Sequence, residues 1–314
     1  MRLGFAAKVT GRPGLKEADG RRWQNNPHLS VSLTYLEAIF DYLRDEHITM
    51  YRISSRIAPY ITHPQLPQFH HQIEECAEQL ARLGERARAQ NLRLSMHPDP
   101  FVVLNSPHEA VYAAALRDLD YHARFLDALG AGPEAVVVLH GGGVFGDKAA
   151  AMARFVDRYL RLPEHARRRI VLENDEKSYS VPDIVAIHQQ TGVPLVLDNL
   201  HHAVNNPDHL TIAQAADLCL PTWPQGVTPK VHFSSPRRED RVVRRRDKSS
   251  GKTLLAEVAP LASQHADWVD VDEFVAFLGE TGRWRYDVML EAKQKDSALL
   301  RLRGELAARG IVTE

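Results

Sequence analysis

The sequence contains little cysteine and no long apolar run. Only two of its 314 residues are cysteines, Cys76 and Cys219, which is too few for a disulfide-stabilised secreted scaffold. No apolar stretch approaches the roughly 18 residues that a membrane-spanning helix needs, and the N-terminal MRLGFAAKVTG lacks the features of a secretory signal. We therefore expect a protein of the reducing cytoplasm that has no membrane partner.

The chain also has almost no net charge. Its 39 basic and 40 acidic residues give a formal charge of −1, which by itself indicates no nucleic-acid partner. The distribution is uneven, because residues 237 to 252 hold eight basic side chains against three acidic ones. A second basic cluster follows the first apolar run and consists of Arg12, Lys16, Arg21 and Arg22.

Eight short apolar runs alternate with helical patterns along the whole chain. The runs cover residues 2 to 7, 50 to 55, 92 to 98, 135 to 142, 170 to 175, 194 to 202, 229 to 234 and 286 to 293. Eight alternations of strand and helix predict an α/β fold of the TIM (β/α)8 barrel type, with the active site at the C-terminal ends of the strands. We expect one domain over residues 1 to 314.

Helical periodicity marks the segments between these runs. It predicts helices over 32 to 46, 68 to 90, 108 to 129, 147 to 161, 181 to 190, 211 to 219, 271 to 281 and 294 to 309. Residues 235 to 264 show no such pattern and are predicted to be a long irregular segment, either functional or disordered.

Acidic and histidine residues collect at the C-terminal ends of the predicted strands. They are His97, His140, Glu173, Asp198, His201, His232 and Glu291. A single histidine at a strand end is more often structural, but chance would scatter such residues between both ends of the barrel. So many carboxylates and imidazoles at one end would repel one another without cations between them. The pattern therefore predicts a multinuclear metal site.

Three details of this pattern bear on individual roles. Glu173 ends a fully apolar strand, where an unpaired carboxylate is costly to bury and a bridging metal ligand would be satisfied. Asp198 and His201 are close enough at one strand end to serve adjacent metals. We expect His202, which faces away, either to be structural or to support the metal ligands. Lys230 and His232 share one face of their strand because side chains alternate with a period of two.

Several motifs, in this order, resemble the UV damage endonuclease family: HP, LHGGxxxGDK, LEND, DNLHH, KVHFS and MLEAKxK. This family is related to endonuclease IV and to sugar isomerases, and the likeness runs from residue 2 to Lys295. It implies hydrolysis of a phosphodiester bond immediately 5′ of a lesion in double-stranded DNA. The implied cofactors are two or three divalent ions, usually Mn²⁺, with Mg²⁺, Co²⁺ or Zn²⁺ as alternatives.

The resemblance also assigns ligands to each ion. The first ion would be held by His97, His140 and Glu173. The second would be held by Glu173, Asp198, His232 and Glu291. The third would be held by His201 and His265. A carboxylated lysine of the family maps onto Lys230, where the alternative is an unmodified lysine that hydrogen-bonds a carboxylate. A family active-site histidine outside the metal shell maps onto His63.

The DNA-contacting residues depart from some relatives. Where those relatives insert a Gln-Tyr or Gln-Phe pair into the duplex, this chain has Pro100 and Phe101. Phe101 keeps an aromatic wedge that could stack between bases, although it could instead pack in the core under its loop. We expect Arg244, Arg245 and Arg246 to neutralise DNA phosphates; the alternative is a solvated surface loop.

Three other functions remain open on the sequence. An abasic-site endonuclease of the endonuclease IV type would differ from a UV damage endonuclease only in its substrate. A sugar isomerase or epimerase of the same barrel superfamily would need a compact pocket without basic DNA-facing segments. A non-catalytic DNA-binding module would not require the full ligand set. Nothing in the sequence indicates an obligate protein partner.

Overall fold

The computed structural model describes residues 1–246, 251 and 253–314, with the backbone alone for Arg241 and Arg245. Its strands are β1 Leu3–Ala6, β2 Met50–Arg52, β3 Arg93–Met96, β4 Val136–His140, β5 Ile170–Glu173, β6 Leu195–Val196, β7 Lys230–Phe233, β8 Arg241–Arg246, β9 Thr253–Val258 and β10 Asp287–Leu290. Eight of them form one parallel sheet in the order β6-β5-β4-β3-β2-β1-β10-β7. The predicted eight-stranded barrel is thereby confirmed.

Helices follow the barrel strands on the outside. They are α1 Leu29–Asp45, α2 Gln72–Glu75, α3 Ala77–Ala89, α4 Glu109–Ala128, α5 Lys148–Leu160, α6 Glu164–Arg167, α7 Val181–Thr191, α8 Asn199–Val204, α9 Ile212–Cys219, α10 Val271–Thr281 and α11 Lys295–Ala307. The helix predicted over 68 to 90 is divided in two at Cys76, which has a non-helical backbone.

Two segments differ from the sequence-based expectation. The segment 235 to 264, predicted to be irregular, contains the antiparallel hairpin of β8 and β9. The sequence does not predict these strands, because RVVRRR and TLLAEV lack the apolar alternation that packing on a core imposes. The sixth apolar run ends as a strand at Val196, and the residues from Asn199 onward form α8.

The barrel closes between β6 and β7 at two of the predicted ligands. An isolated parallel bridge joins Asp198 to His232, and His232 N donates to Leu197 O at 2.9 Å. The backbone contact that completes the barrel therefore also fixes the positions of two candidate donors relative to each other.

The barrel interior is apolar below these donors. Val136 and Val138 precede His140 on the same face of β4, and Val171 precedes Glu173 on the same face of β5. The valines belong to one buried apolar cluster. The predicted metal donors thus lie at the open end of the barrel, at the C-terminal ends of the strands, which we call the mouth. Within the described ranges, no helix is long and apolar enough to span a membrane.

Candidate metal centre

Glu173 lies at the centre of a cluster of histidines. Its Oε2 lies 3.3 Å from His97 Nε2 and 3.6 Å from His140 Nε2. Its Oε1 lies 2.7 Å from His232 Nδ1 and 3.6 Å from His201 Nδ1. The four histidines come from the ends of β3, β4 and β7 and from α8, so the strand order of the barrel brings them together around one carboxylate.

Two sets of three donors could each hold a metal ion. They are His97, His140 and Glu173, and Glu173, Asp198 and His232; in each set the donor atoms lie within 4.8 Å of one another. Glu173 belongs to both sets, so its two oxygens could bridge two ions. Imidazole nitrogens and carboxylate oxygens form a borderline-hard donor set that suits divalent transition metals.

Unsatisfied polar atoms support the fit of this donor set to cations. Among the described residues, four of its buried atoms make no hydrogen bond: Glu173 Oε2, Asp198 Oδ2, His140 Nδ1 and His232 Nε2. A buried polar atom without a partner costs about 1–3 kcal/mol. Cations between the carboxylate oxygens would offset this cost, so the residues present fit a divalent metal site.

Asp198 is held so that one of its oxygens remains available. Its Oδ1 caps α8 by accepting from His201 N at 2.8 Å. Its backbone N donates to Asn174 Oδ1 at 2.9 Å, and Asn174 Nδ2 donates back to Asp198 O at 3.1 Å. These bonds fix the carboxylate plane, and Oδ2 is left to serve as a metal ligand.

Glu291, predicted as a ligand, lies next to both sets. Its Oε1 is 3.4 Å from His232 Nδ1, and its Oε2 is 3.6 Å from His265 Nδ1. The rings of His265 and His201 have centroids 6.1 Å apart. Arg52 Nη1 donates to Glu291 Oε1 at 2.5 Å. All eight predicted ligands are therefore neighbours in one continuous cluster.

Burial and charge set the protonation states in this cluster. Burial lowers the pKa values of His97, His140 and His232, which keeps these imidazoles neutral and able to bind a metal. Burial also raises the pKa of Asp198 to about 6. For His201, burial is outweighed by the nearby carboxylates, and its pKa is raised to about 9. Binding of a cation by His201 near pH 7 would therefore displace a proton.

Glu173 and Glu291 are ionised despite their burial. Burial raises the pKa of Glu173, but the facing imidazoles outweigh it and hold that pKa well below its usual range. The same balance holds for Glu291, where Arg52 and His232 lower the pKa. Both carboxylates are therefore negatively charged at neutral pH, as metal ligands must be.

Lys230 is fully buried at the start of β7, on the same face as His232. Its Nζ makes no hydrogen bond within the part of the chain that the structure describes. Burial, with the charges of Arg52 and Arg93, lowers its pKa well below the usual range. Among the described residues, Lys230 is therefore not hydrogen-bonded to a carboxylate, which was the alternative to a carboxylated lysine.

A cavity of about 700 Å³ opens at the mouth above the cluster. Its lining includes charged residues that the sequence did not single out as site residues, among them Arg52 and Glu176. Glu176 Oε2 lies 3.8 Å from His201 Nε2. Arg52 ends β2, so its position at a strand's C-terminal end was the signal that could have identified it.

The remaining predicted site residues lie around the mouth or outside it. Pro100 lines the cavity, and Phe101 is 71% exposed. His63 is exposed on the connection after β2 and is not among the residues that line the cavity. The side chains of Arg244 and Arg246 are exposed on β8, whereas that of Arg245 lies outside the described part.

The fold and the donor cluster define a TIM-barrel protein with a candidate divalent-metal site at the mouth. A family model for UV-endonuclease UvdE matches residues 29–314. The chain therefore belongs to the UvdE family and is an endonuclease that acts on DNA.

Curated relatives are similar over most of their length. The chain is 34% identical over 286 residues to a UV DNA damage endonuclease of Bacillus velezensis, covering 90% of this chain and 82% of that protein. It is 34% identical over 289 residues to the protein of the same name from Bacillus mycoides, covering 90% of this chain and 84% of that protein.

Solved structures agree on the architecture. SacUVDE superposes with a TM-score of 0.83 and 27% identity over 99% of this chain and 100% of that chain. Endonuclease IV from Thermus thermophilus superposes with a TM-score of 0.55 and 15% identity, over 98% of this chain and 100% of that chain. At that identity the second similarity shows the shared barrel fold alone.

Proposed function

We propose that this endonuclease hydrolyses the phosphodiester bond immediately 5′ of a UV photoproduct or another helix-distorting lesion in double-stranded DNA. The observation that carries the proposal is the position of Glu173, shared by two three-donor sets at the mouth of a UvdE-family barrel. We further propose that residues 1–314 act as one domain, since the ligand cluster draws on strands from β3 to β10.

Two or three divalent ions would occupy the cluster. His97, His140 and Glu173 would hold the first, and Glu173, Asp198, His232 and Glu291 the second; His201 and His265 would hold a third. When bound, such ions supply hydroxide near neutral pH and stabilise charge on the phosphate and the leaving oxygen. We favour Mn²⁺, with Mg²⁺, Co²⁺ or Zn²⁺ as alternatives compatible with mixed imidazole and carboxylate ligands.

The side chains around the cluster orient these ligands. Asp198 is fixed by its capping bond to His201 N and by Asn174. The ion pair of Arg52 with Glu291 fixes that carboxylate and places a positive charge in the cavity wall, which would attract the substrate's phosphate. No nucleophilic side chain is required for hydrolysis of this kind.

Lys230 is proposed to carry a carboxylate as a carbamate. The support is its complete burial, its unpartnered Nζ among the described residues and its lowered pKa, because only the neutral amine reacts with carbon dioxide. A carbamate would convert a buried base into an anion beside cations, which is electrostatically favourable.

His63 is proposed as an active-site residue outside the metal shell, where it would contact the DNA. Its side chain is exposed, and its carbonyl oxygen pairs with His70 Nε2 at 2.8 Å, which holds its turn in place. Because His63 does not line the cavity, its ring can contact only a substrate that extends beyond the cavity.

Incision assays test this function directly. Duplexes that carry one UV photoproduct, one abasic site or no lesion should be compared in Mn²⁺ and in EDTA. We expect incision 5′ of the photoproduct in Mn²⁺ only. Preference for the abasic duplex would instead assign the activity to the abasic-site class, and no incision of any duplex would refute the proposal.

Phe101, together with Pro100, is proposed to act as the wedge in the distorted duplex. Its exposure of 71% excludes the core-packing alternative. Phe101→Ala should leave the melting temperature nearly unchanged and reduce incision of a lesion in duplex by about tenfold, since the energy of one stacked base is lost. A lesion in single-stranded DNA serves as the control substrate. Equal losses on both substrates, or a large fall in melting temperature, would remove the wedge from the mechanism.

The hairpin of β8 and β9 is proposed to bind DNA phosphates, through Arg244 and Arg246 and through Arg245, whose side chain is outside the described residues. Its stem is fixed at the mouth, because Pro236 bridges to the predicted ligand His265 and Arg237 N donates to Gln264 O at 2.7 Å. The hairpin therefore starts beside the candidate metal centre, where the duplex that flanks the lesion would pass.

Changing Arg244 and Arg246 together to alanine should weaken binding to any duplex. The slope of log affinity against log salt should shrink by about 0.9 for each phosphate that the variant no longer neutralises. Arg82→Ala with Arg161→Ala is the matched control, because these arginines are also exposed and lie on α3 and directly after α5. If the slope of the hairpin variant is unchanged, these arginines form a solvated surface and do not bind DNA phosphates.

A further inference from the structure

Phe145 combines an exposed aromatic ring with a disfavoured backbone conformation. It lies on the connection from β4 to α5, its side chain is 45% exposed, and its φ is 49°. A bulky residue is rarely found in the left-handed region, where glycine is favoured. Residues held in such conformations cluster at functional sites.

The connection that carries Phe145 is held firmly from both sides. Gly143 O accepts from Asn105 Nδ2 at 2.7 Å and from the hydroxyl of Tyr179 at 3.1 Å. At the far end, Asp147 caps α5 by accepting from Ala150 N at 3.0 Å. The unfavourable φ is therefore maintained by the surrounding bonds, and the ring is presented from a fixed support.

Phe145 lies close to the cavity at the mouth. Gly142 and Gly143, three and two residues before it, line that cavity. Asn105 links its connection to the preceding one, which carries Phe101. The guanidinium of Arg154 lies 5.8 Å from the Phe145 ring centroid, and its Nε donates to Asn105 O at 2.9 Å. The rim thus presents an apolar ring beside a positive charge.

We propose that Phe145 is a second DNA-contacting aromatic residue, which stacks on a nucleobase that is unpaired where the distorted strand enters the cavity. Aromatic rings next to basic groups bind single-stranded nucleic acid because every base offers a π face and every nucleotide a phosphate. The inference rests on the proposed function, because it requires DNA at the mouth.

The competing explanation is a local structural role. The ring lies over Gly143, where an added Cβ would come within 3.1 Å of it, and it lies near Arg154. If the Phe145 ring only shields Gly143 and Arg154 from solvent, its loss would lower the stability of the fold and leave DNA binding unchanged. Because φ at this position favours glycine or asparagine, Phe145→Asn should keep or raise the melting temperature, whereas the loss of a structural ring would lower it.

The probe is a duplex with one thymine photoproduct and 2-aminopurine beside it, titrated in EDTA so that binding is measured without incision. Phe145→Ala, Phe145→Leu and Phe145→Asn should each bind about tenfold more weakly and lose the fluorescence change of the wild type. Phe145→Trp should retain both. Leu160→Ala is the matched control, because Leu160 is 47% exposed at the opposite end of α5; it should bind as the wild type does.

Two results would overturn the inference. In one, Phe145→Ala or Phe145→Leu binds with wild-type affinity and fluorescence, which excludes stacking. In the other, the melting temperature falls in step with binding in all three weakened variants, which indicates a structural ring. A wild type that incises the photoproduct duplex while its Phe145 variants bind normally refutes this inference alone. A wild type that incises no damaged duplex refutes the proposed function itself.

Discussion

Replacing Glu173 with glutamine is expected to reduce incision of a photoproduct-containing duplex by about 10³-fold, the upper range for loss of one electrostatic group at an active site. The exchange keeps the size of the side chain and removes the charge that two donor sets share. One of the two carboxylate oxygens becomes an amide nitrogen, which cannot bind a cation. The side chain can then no longer serve both donor sets. DNA binding should persist, because the proposed DNA contacts are elsewhere on the mouth.

The control for this variant is Asp287→Asn. Asp287 is a second buried carboxylate of the barrel, but it starts β10, where it accepts from Arg93 Nη1 at 2.8 Å. Its loss should lower the melting temperature while the folded protein still incises. If Glu173→Gln cuts at a rate near that of the wild type, the assignment of Glu173 as the shared ligand is wrong. If Asp287→Asn abolishes incision of protein that is still folded, loss of activity is not specific to the donor sets and Glu173→Gln does not support the assignment.

Replacing Lys230 with alanine is expected to reduce incision by about 10²-fold or more, as loss of a preorganised charge beside an active site does. Addition of a short carboxylic acid such as acetate should restore part of the activity, because the free carboxylate can occupy the space of the carbamate. In the wild type, ¹³C-bicarbonate should give a carbamate signal that is absent from Lys230→Ala.

The pH dependence of this modification follows from the direction of the pKa shift. Burial lowers the pKa of Lys230, so the amine is neutral over a range of pH in which an exposed lysine is charged. Carboxylation should therefore persist at neutral pH and be lost in acid, where the carbamate decomposes. Rescue of Lys230→Ala by methylamine and not by acetate, with no ¹³C signal in the wild type, would establish an unmodified ammonium instead.

The sequence was sufficient for the barrel and for the position of the candidate metal donors, because both depend on one regularity. Strands that are buried on both faces are read as continuous apolar runs, and the first polar residue after each run falls at the mouth. Glu173 after the apolar residues 170 to 172 and His140 after the apolar residues 135 to 139 are examples, and the structure places both in the same donor set.

The remaining features depend on contacts between distant segments. Arg52 belongs to the centre only because β2 and β10 lie on either side of β1, which lets it reach Glu291. His201 reaches Glu173 from α8, although the sequence pattern predicts a strand end there. The β8 and β9 hairpin has no core-facing side to reveal it. The strain at Phe145 is a backbone property that residue identity does not disclose.

Anomalous diffraction from crystals of the protein grown with Mn²⁺ tests the central claim most directly. The account predicts at least two manganese peaks, one between His97, His140 and Glu173 and one between Glu173, Asp198 and His232, with Glu173 bound to both. Manganese peaks that all lie away from Glu173, in a preparation that incises photoproduct-containing duplex, would contradict it.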